Sequence, residues 1–164
     1  MSELSRIRLR TVGWFLLIPV TLIGLLPWWL HQRFEGPFAW EGTGWQWLGV
    51  WFVVNGLGLA AWCVNLFNVE GRGTPVPFDP PTRFVVTGPY RVVRNPMMLG
   101  VFLVLAGETV LYQSRAVGIF TLTLIAVAWA FVRFWEEPGL ERRFGEVYRA
   151  YKRQVPRWPP RRPR

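Results

Sequence analysis

The twenty residues from Thr11 to Leu30 carry no charge, and no other feature limits so strongly what this chain can become. A helix crosses the hydrocarbon core of a bilayer with roughly 20 apolar residues, and Pro19 and Pro27 are tolerated in such a helix. Arg6, Arg8 and Arg10 stand before the run as they would before a secretory leader. The run is too long for a leader, and no small-residue cleavage site follows it, so a membrane span is expected. Three more spans are expected at about Trp47–Phe67, Met97–Gln113 and Ala116–Trp135, with Glu108 inside the third and Arg133 near the end of the fourth. The third and fourth are separated only by Gln113-Ser114-Arg115 and should form an antiparallel hairpin. The expected fold is all-α: one 164-residue domain, a polytopic bundle of four spans with a C-terminal amphipathic helix.

Basic residues set the orientation. Seventeen of the 19 Lys and Arg lie before Thr11, in the 68–96 loop or from Arg133 onward, and only Arg33 and Arg115 fall in the two opposite loops. By the positive-inside rule both termini and the 68–96 loop are cytoplasmic. Trp28, Trp29, Trp40, Trp45 and Trp47 then gather at the outer interface, where indole rings are favoured.

The net charge of +9 invites a nucleic-acid reading. The basic residues punctuate apolar runs instead of forming one face, so the bilayer is the expected partner and nucleic acid is not. Cys63 is the single cysteine and His31 the single histidine. Disulfide frameworks and Cys/His metal spacings are therefore excluded, and both residues are read as structural.

Six Pro and four Gly between Gly71 and Gly100 make the cytoplasmic loop a shaped one, with Phe84–Thr87 as a candidate extended piece. Asn95-Pro96 reads as a helix start, with Asn95 as N-cap and Pro96 in the first turn. Arg91 and Arg94 beside that helix N-terminus suit a carboxylate or phosphate, or equally lipid headgroups. Glu136 and Glu137 stand where the fourth span leaves the bilayer, free to pair with Arg133, Arg142 or Arg143 or to hold a cationic ligand. Beyond Pro138, residues Leu140, Phe144, Val147, Tyr148 and Tyr151 recur at helical spacing and predict one amphipathic helix. Asn55-Gly-Leu-Gly58 in the second span is weak evidence for more than close helix packing. Glu108 lies about 18 Å along its helix from the start, so pairing with Tyr112, Arg115 or a neighbouring polar group is expected.

Gly88-Pro-Tyr-Arg-Val-Val-Arg-Asn-Pro-Met-Met-Leu-Gly100, then Glu136-Glu137, then Phe144-Gly-Glu-Val-Tyr-Arg-Ala-Tyr-Lys-Arg-Gln-Val-Pro-Arg157 resemble the superfamily of isoprenylcysteine carboxyl methyltransferases and phospholipid methyltransferases. The resemblance covers roughly Gly56 to Pro159 and implies S-adenosylmethionine as methyl donor, bound at the cytoplasmic side of the hairpin. The superfamily's Arg-His-Pro signature falls on Arg94-Asn95-Pro96 with Gly100 trailing, its acidic pair on Glu136-Glu137, and its Gly-x-Gly on Gly56-Leu57-Gly58. It thus implies cofactor contacts at Gly56, Gly58, Tyr90, Arg91, Arg94, Asn95, Pro96, Gly100, Glu136 and Glu137, with catalytic roles at Arg94, Asn95 and Glu137. Asn95 replaces the usual histidine and Met98 a usual tyrosine. An asparagine is no base near neutral pH, so the site is expected to align and hold. The implied acceptor is a lipid or a prenylated, hydrophobic small molecule: an isoprenylcysteine-like carboxylate first, a phospholipid amine second. A sterol-type NADPH reductase, or a non-catalytic membrane scaffold, are the alternatives of other classes.

Overall fold

The computed structural model describes residue 13, residues 19–72 and residues 83–158. Most of the first half of the expected first span, the middle of the cytoplasmic loop (73–82) and the last six residues (159–164) lie outside the described residues. The described elements are helical. A π-turn at Thr21–Leu25 leads into α1 (Leu26–Phe34); α2 is Gly44–Val69, α3 Pro96–Tyr112 and α4 Arg115–Phe131. A second π-turn, Val132–Glu136, joins α4 to α5 (Glu137–Phe144), and α6 (Glu146–Gln154) follows.

Two helices are long and apolar enough to cross a membrane: α2, with 26 residues, and the continuous run Arg115–Phe144, with 30. α3 is a shorter apolar helix of 17 residues. α2 begins in a capping box. Thr43 accepts from the Gln46 amide, and the Gln46 side chain accepts from the Thr43 amide, which satisfies two donors that the first helical turn otherwise leaves open.

The antiparallel α2–α3 crossing rests on glycine. Gly49 meets Gly107 and Gly56 meets Gly100, seven residues apart on each helix. A Cβ at Gly49 would lie 2.7 Å from the Gly107 carbonyl oxygen, and one at Gly56 2.6 Å from that of Gly100. Backbones this close gain dispersion contacts that side chains would prevent, the usual basis for helix association in lipid. Gly58, two residues on, has open space around it.

The α3–α4 hairpin turns as its sequence suggests. Gln113 takes the left-handed conformation (φ 50°, ψ 37°), and Ser114 caps α4 by accepting from the Val117 amide at 3.1 Å. Thr109 and Thr121 hydroxyls meet at 3.1 Å across the pair. Glu35, just past α1, accepts from the Ser114 hydroxyl (2.5 Å) and the Ala116 amide (3.1 Å), tying α1 to the start of α4. His31 is buried and stacked on Tyr112 at 5.0 Å, while the Cys63 thiol is buried against Tyr90; both sit in packed surroundings. The five tryptophans assigned to the outer interface are roughly half exposed, with Trp40 set edge-on to Trp47.

Three expectations change. Phe84–Val86 is irregular backbone and not a strand, and Phe84 packs onto α5 and α6. The single amphipathic helix after Pro138 is two helices, broken at Gly145 (φ 57°, ψ −129°), a conformation that L side chains rarely adopt. The break buries Tyr148 and Tyr151 and leaves Val147 outside. Asn95 occupies the N-cap position of α3 without capping it, and its side chain donates to the C-terminal segment. Glu108 is buried within electrostatic reach of Tyr112, and its Oε2 has no hydrogen-bond partner.

Candidate functional site

The site forms where α4 runs on past its apolar stretch. Pro138 lacks an N–H, and its ring opposes the carbonyl one turn back, so an α-helix cannot pass it undisturbed. The π-turn Val132–Glu136 absorbs the disturbance, the Glu137 amide bonding to the Val132 carbonyl five residues back. The helix continues, and adjacent residues on it point about 100° apart. Glu136 and Glu137 therefore face different surroundings.

Glu137 is almost completely buried, 2% exposed, and is held by cations. Arg157 grips it with both ends of its fork: Nε donates to Oε1 and Nη2 to Oε2, each at 2.7 Å. Arg94 Nη1 stands 2.9 Å from Oε1, an ion pair by distance although its N–H does not align as a hydrogen bond. Lys152 Nζ is 3.8 Å from Oε2 and also bonds Glu141. These partners replace the expected Arg133, Arg142 and Arg143.

Arg157 reaches Glu137 because residues Val155–Trp158 lie as a strap across the start of α3. The Arg94 amide donates to the Pro156 carbonyl at 2.9 Å, and Asn95 Nδ2 donates to the Arg157 carbonyl at 3.4 Å. Trp158 lies tilted against Phe102 of α3, ring centroids 5.5 Å apart. The Asn95 amide group is thus turned toward the strap, and its Oδ1 makes no capping bond to the first turn of α3.

Glu136 instead lines a cavity of about 390 Å³ at this end of the bundle. One wall is apolar: Met97 and Met98 from α3, with Phe131 and Trp135 from α4 and its π-turn. The other is polar: Tyr90, Arg94 and Asn95 before α3, with Tyr148 and Tyr151 from α6. Three polar atoms of these lining residues are buried without a hydrogen-bond partner, Oε2 of Glu136 and Nε and Nη1 of Arg94, and of these Nη1 is ion-paired to Glu137. A buried carboxylate oxygen and a guanidinium N–H left open on one cavity are complementary to a ligand bearing both an ammonium and a carboxylate. Burial, with the Glu137 charge second, pushes the Tyr148 hydroxyl up to about 12, and burial likewise raises Tyr90 and Tyr151. These phenols remain neutral, and Tyr151 spends its proton on the Tyr90 carbonyl at 2.6 Å. The hydrogen bond to Glu137 raises Arg157 in turn, keeping it charged.

Of the residues singled out in the sequence, Tyr90, Arg94, Asn95 and Glu136 meet on the cavity, and Glu137 sits behind them in its clamp. Gly56 and Gly100 face one another in the helix crossing, Pro96 is buried at the start of α3, and Gly58 stands clear of both. Arg91 turns to a separate groove. Sequence reasoning passed over Arg157, Tyr148 and Tyr151 as site residues. Their only signal was the Val-Pro-Arg ending and a stripe that reads as packing.

A family model described as phospholipid methyltransferase matches residues 45–147, well over half of the chain. The chain belongs to this family. It is thereby one of the membrane methyltransferases of the superfamily that the loop motif and acidic pair resemble, and the reductase reading gives way. The matched residues contain α2 to α5 and both carboxylates, and stop short of the strap. No curated protein and no solved structure shows significant similarity to the chain.

Proposed function

We propose that the chain is an S-adenosylmethionine-dependent, multi-pass membrane methyltransferase with cytoplasmic termini, acting on a lipid-like acceptor and most readily on a carboxylate. The observation that carries this reading is the pair of open, buried polar atoms on one cavity. Glu136 Oε2 is the group for the cofactor's ammonium, and Arg94 Nε for its carboxylate. When bound, S-adenosylmethionine supplies a methyl group already activated on a sulfonium, so that alignment matters more than acid–base help.

The chain's own residues fit that division of labour. Glu137, neutralised by two guanidinium groups, holds Arg94 in place and is not free to accept a proton. It is therefore a positioning residue, and the catalytic part assigned to it by resemblance falls away in this proposal. Asn95 anchors the strap. Gly56 and Gly100 serve the cavity by closing the helix pair that supports it. A carboxylate acceptor is ionised near neutral pH and needs no base, while Arg83, Arg142 and Arg143 on the same lining suit its charge. The apolar wall of Met97, Met98, Phe131 and Trp135 suits a hydrophobic tail entering sideways from the bilayer.

The family's description favours a second reading, a phospholipid amine as acceptor. Calorimetry on the detergent-solubilised protein should show S-adenosylmethionine binding that weakens at least tenfold in Glu136→Ala, the loss of roughly one charge-assisted hydrogen bond. Absence of binding by the wild-type protein would refute the cofactor reading. Labelled methyl incorporated into membranes should be released as methanol by mild alkali if it is an ester. Alkali-stable label would assign the amine instead, and cofactor binding without incorporation a scaffold.

A further inference from the structure

Next to the cavity lies an open groove of about 1070 Å³ between the turn Gly88–Arg91 and helix α6. The two share a wall of Phe84, Arg94 and Tyr151. Three cationic side chains besides Arg94 line the groove, Arg91, Lys152 and Arg153, and none of its lining residues is acidic. Lys152 is engaged by Glu141 and Glu137. Arg91 and Arg153 are exposed and have no carboxylate partner among the described residues. Apolar side chains stand beside them: Val86 and Val92 are each 40% exposed and Val147 is 63% exposed.

The two halves of this surface favour different neighbours. Two unpaired guanidinium groups attract an anion with planar oxygen geometry, as phosphate provides. Exposed valines on an otherwise polar face favour an apolar neighbour. One occupant satisfies both demands, a molecule with a phosphodiester and an acyl chain. The surface belongs to the basic end of the chain, which the charge distribution turns toward the leaflet where anionic lipids collect. We infer that the groove between Gly88–Arg91 and α6 is a docking site for an anionic phospholipid, with Arg91 and Arg153 on the phosphate and Val86, Val92 and Val147 against the chain. This site is distinct from the proposed cofactor cavity and does not depend on its function.

The test uses the full chain in a neutral detergent. Short-chain phosphatidylglycerol, short-chain phosphatidylcholine and inorganic phosphate are titrated separately into the wild type and into R91Q/R153Q. Both substituted side chains are exposed, so the double variant should melt where the wild type does without lipid. A basic residue near an anionic surface is worth about fivefold in affinity, so the double variant should bind phosphatidylglycerol on the order of 25-fold more weakly. Phosphatidylcholine, whose choline offsets the phosphate charge, should bind the wild type more weakly than phosphatidylglycerol does, and equal affinity for the two would overturn the preference for an anionic lipid. Phosphatidylglycerol affinity equal in both proteins would overturn the site. Inorganic phosphate binding the wild type as tightly as phosphatidylglycerol does would overturn the lipid as its occupant.

Discussion

Replacing Arg157 by methionine tests the clamp on Glu137 without introducing a cavity, because methionine keeps most of the length and loses the charge. Arg157 makes two hydrogen bonds of 2.7 Å to a carboxylate that is 2% exposed. Removing one partner of a fully buried ion pair costs about 3–5 kcal/mol. Two features lower that figure here. Arg94 stays 2.9 Å from Oε1 and Lys152 3.8 Å from Oε2, so the carboxylate is not left bare, and Arg157 itself is 19% exposed. A loss of about 2 kcal/mol is expected, the worth of one to two charge-assisted bonds. Arg157→Lys keeps the charge and forfeits the fork, and should lose about half as much. Glu137→Gln leaves two guanidinium groups facing a neutral amide and should cost more than Arg157→Met, about 3 kcal/mol or above. Reversible unfolding in mixed detergent micelles measures all three, and the Arg157→Met/Glu137→Gln double variant should show a coupling of at least about 1 kcal/mol. An Arg157→Met protein within about 0.5 kcal/mol of the wild type, or additive single effects, would refute the clamp.

Gly56→Ala places a Cβ 2.6 Å from the Gly100 carbonyl oxygen and should cost about 1–3 kcal/mol, whereas Gly58→Ala meets open space and should be neutral or slightly stabilising; equal effects on unfolding would contradict the glycine crossing. The Tyr148 hydroxyl is held up to about 12 in the fold, against about 10 in an unfolded chain. The fold thus favours its protonated form, and that stability is fully present below pH 10 and lost as pH rises toward 12. Tyr148→Phe should flatten this alkaline limb in a melting-temperature series, and an unchanged limb would disprove the assignment. Glu35 titrates the other way, since the Ser114 hydroxyl and then the backbone amide of Ala116 hold its carboxyl below the ordinary range. Its contribution should vanish as pH falls through that lowered value, and Glu35→Gln should remove the acid-side loss.

Hydropathy and basic-residue placement are local properties, legible one window at a time. Read that way they place α2, α3 and α4 to within a few residues, and the hairpin turn at Gln113-Ser114 follows from its polar break. The loop motif and acidic pair likewise point to one end of the bundle, because Tyr90, Arg94, Asn95 and Glu136 are chemically conspicuous against an apolar chain. Their division of roles is another matter. Glu136 and Glu137 are adjacent and chemically identical, and nothing within ten residues says which is open. Arg157, twenty residues on, and Arg94, forty-three residues back, close over Glu137 and leave Glu136 unpartnered on the cavity.

The same distance explains Asn95 and the glycines. A cap read from sequence assumes that the nearest free amides win, but the strap brings the Arg157 carbonyl within reach and the side chain is turned toward it. Gly56 and Gly58 are equivalent letters in a Gly-x-Gly. The rotation of α2 against α3 puts one in a backbone contact and the other in open space. By itself the sequence determined which runs are apolar enough to form helices suited to a bilayer and near which of them the conspicuous polar residues fall, since hydrophobicity and charge placement act residue by residue. Only the tertiary structure decided which carboxylate is free, which arginine holds the other and where Arg91 points, because those outcomes depend on partners that meet only when the chain has packed.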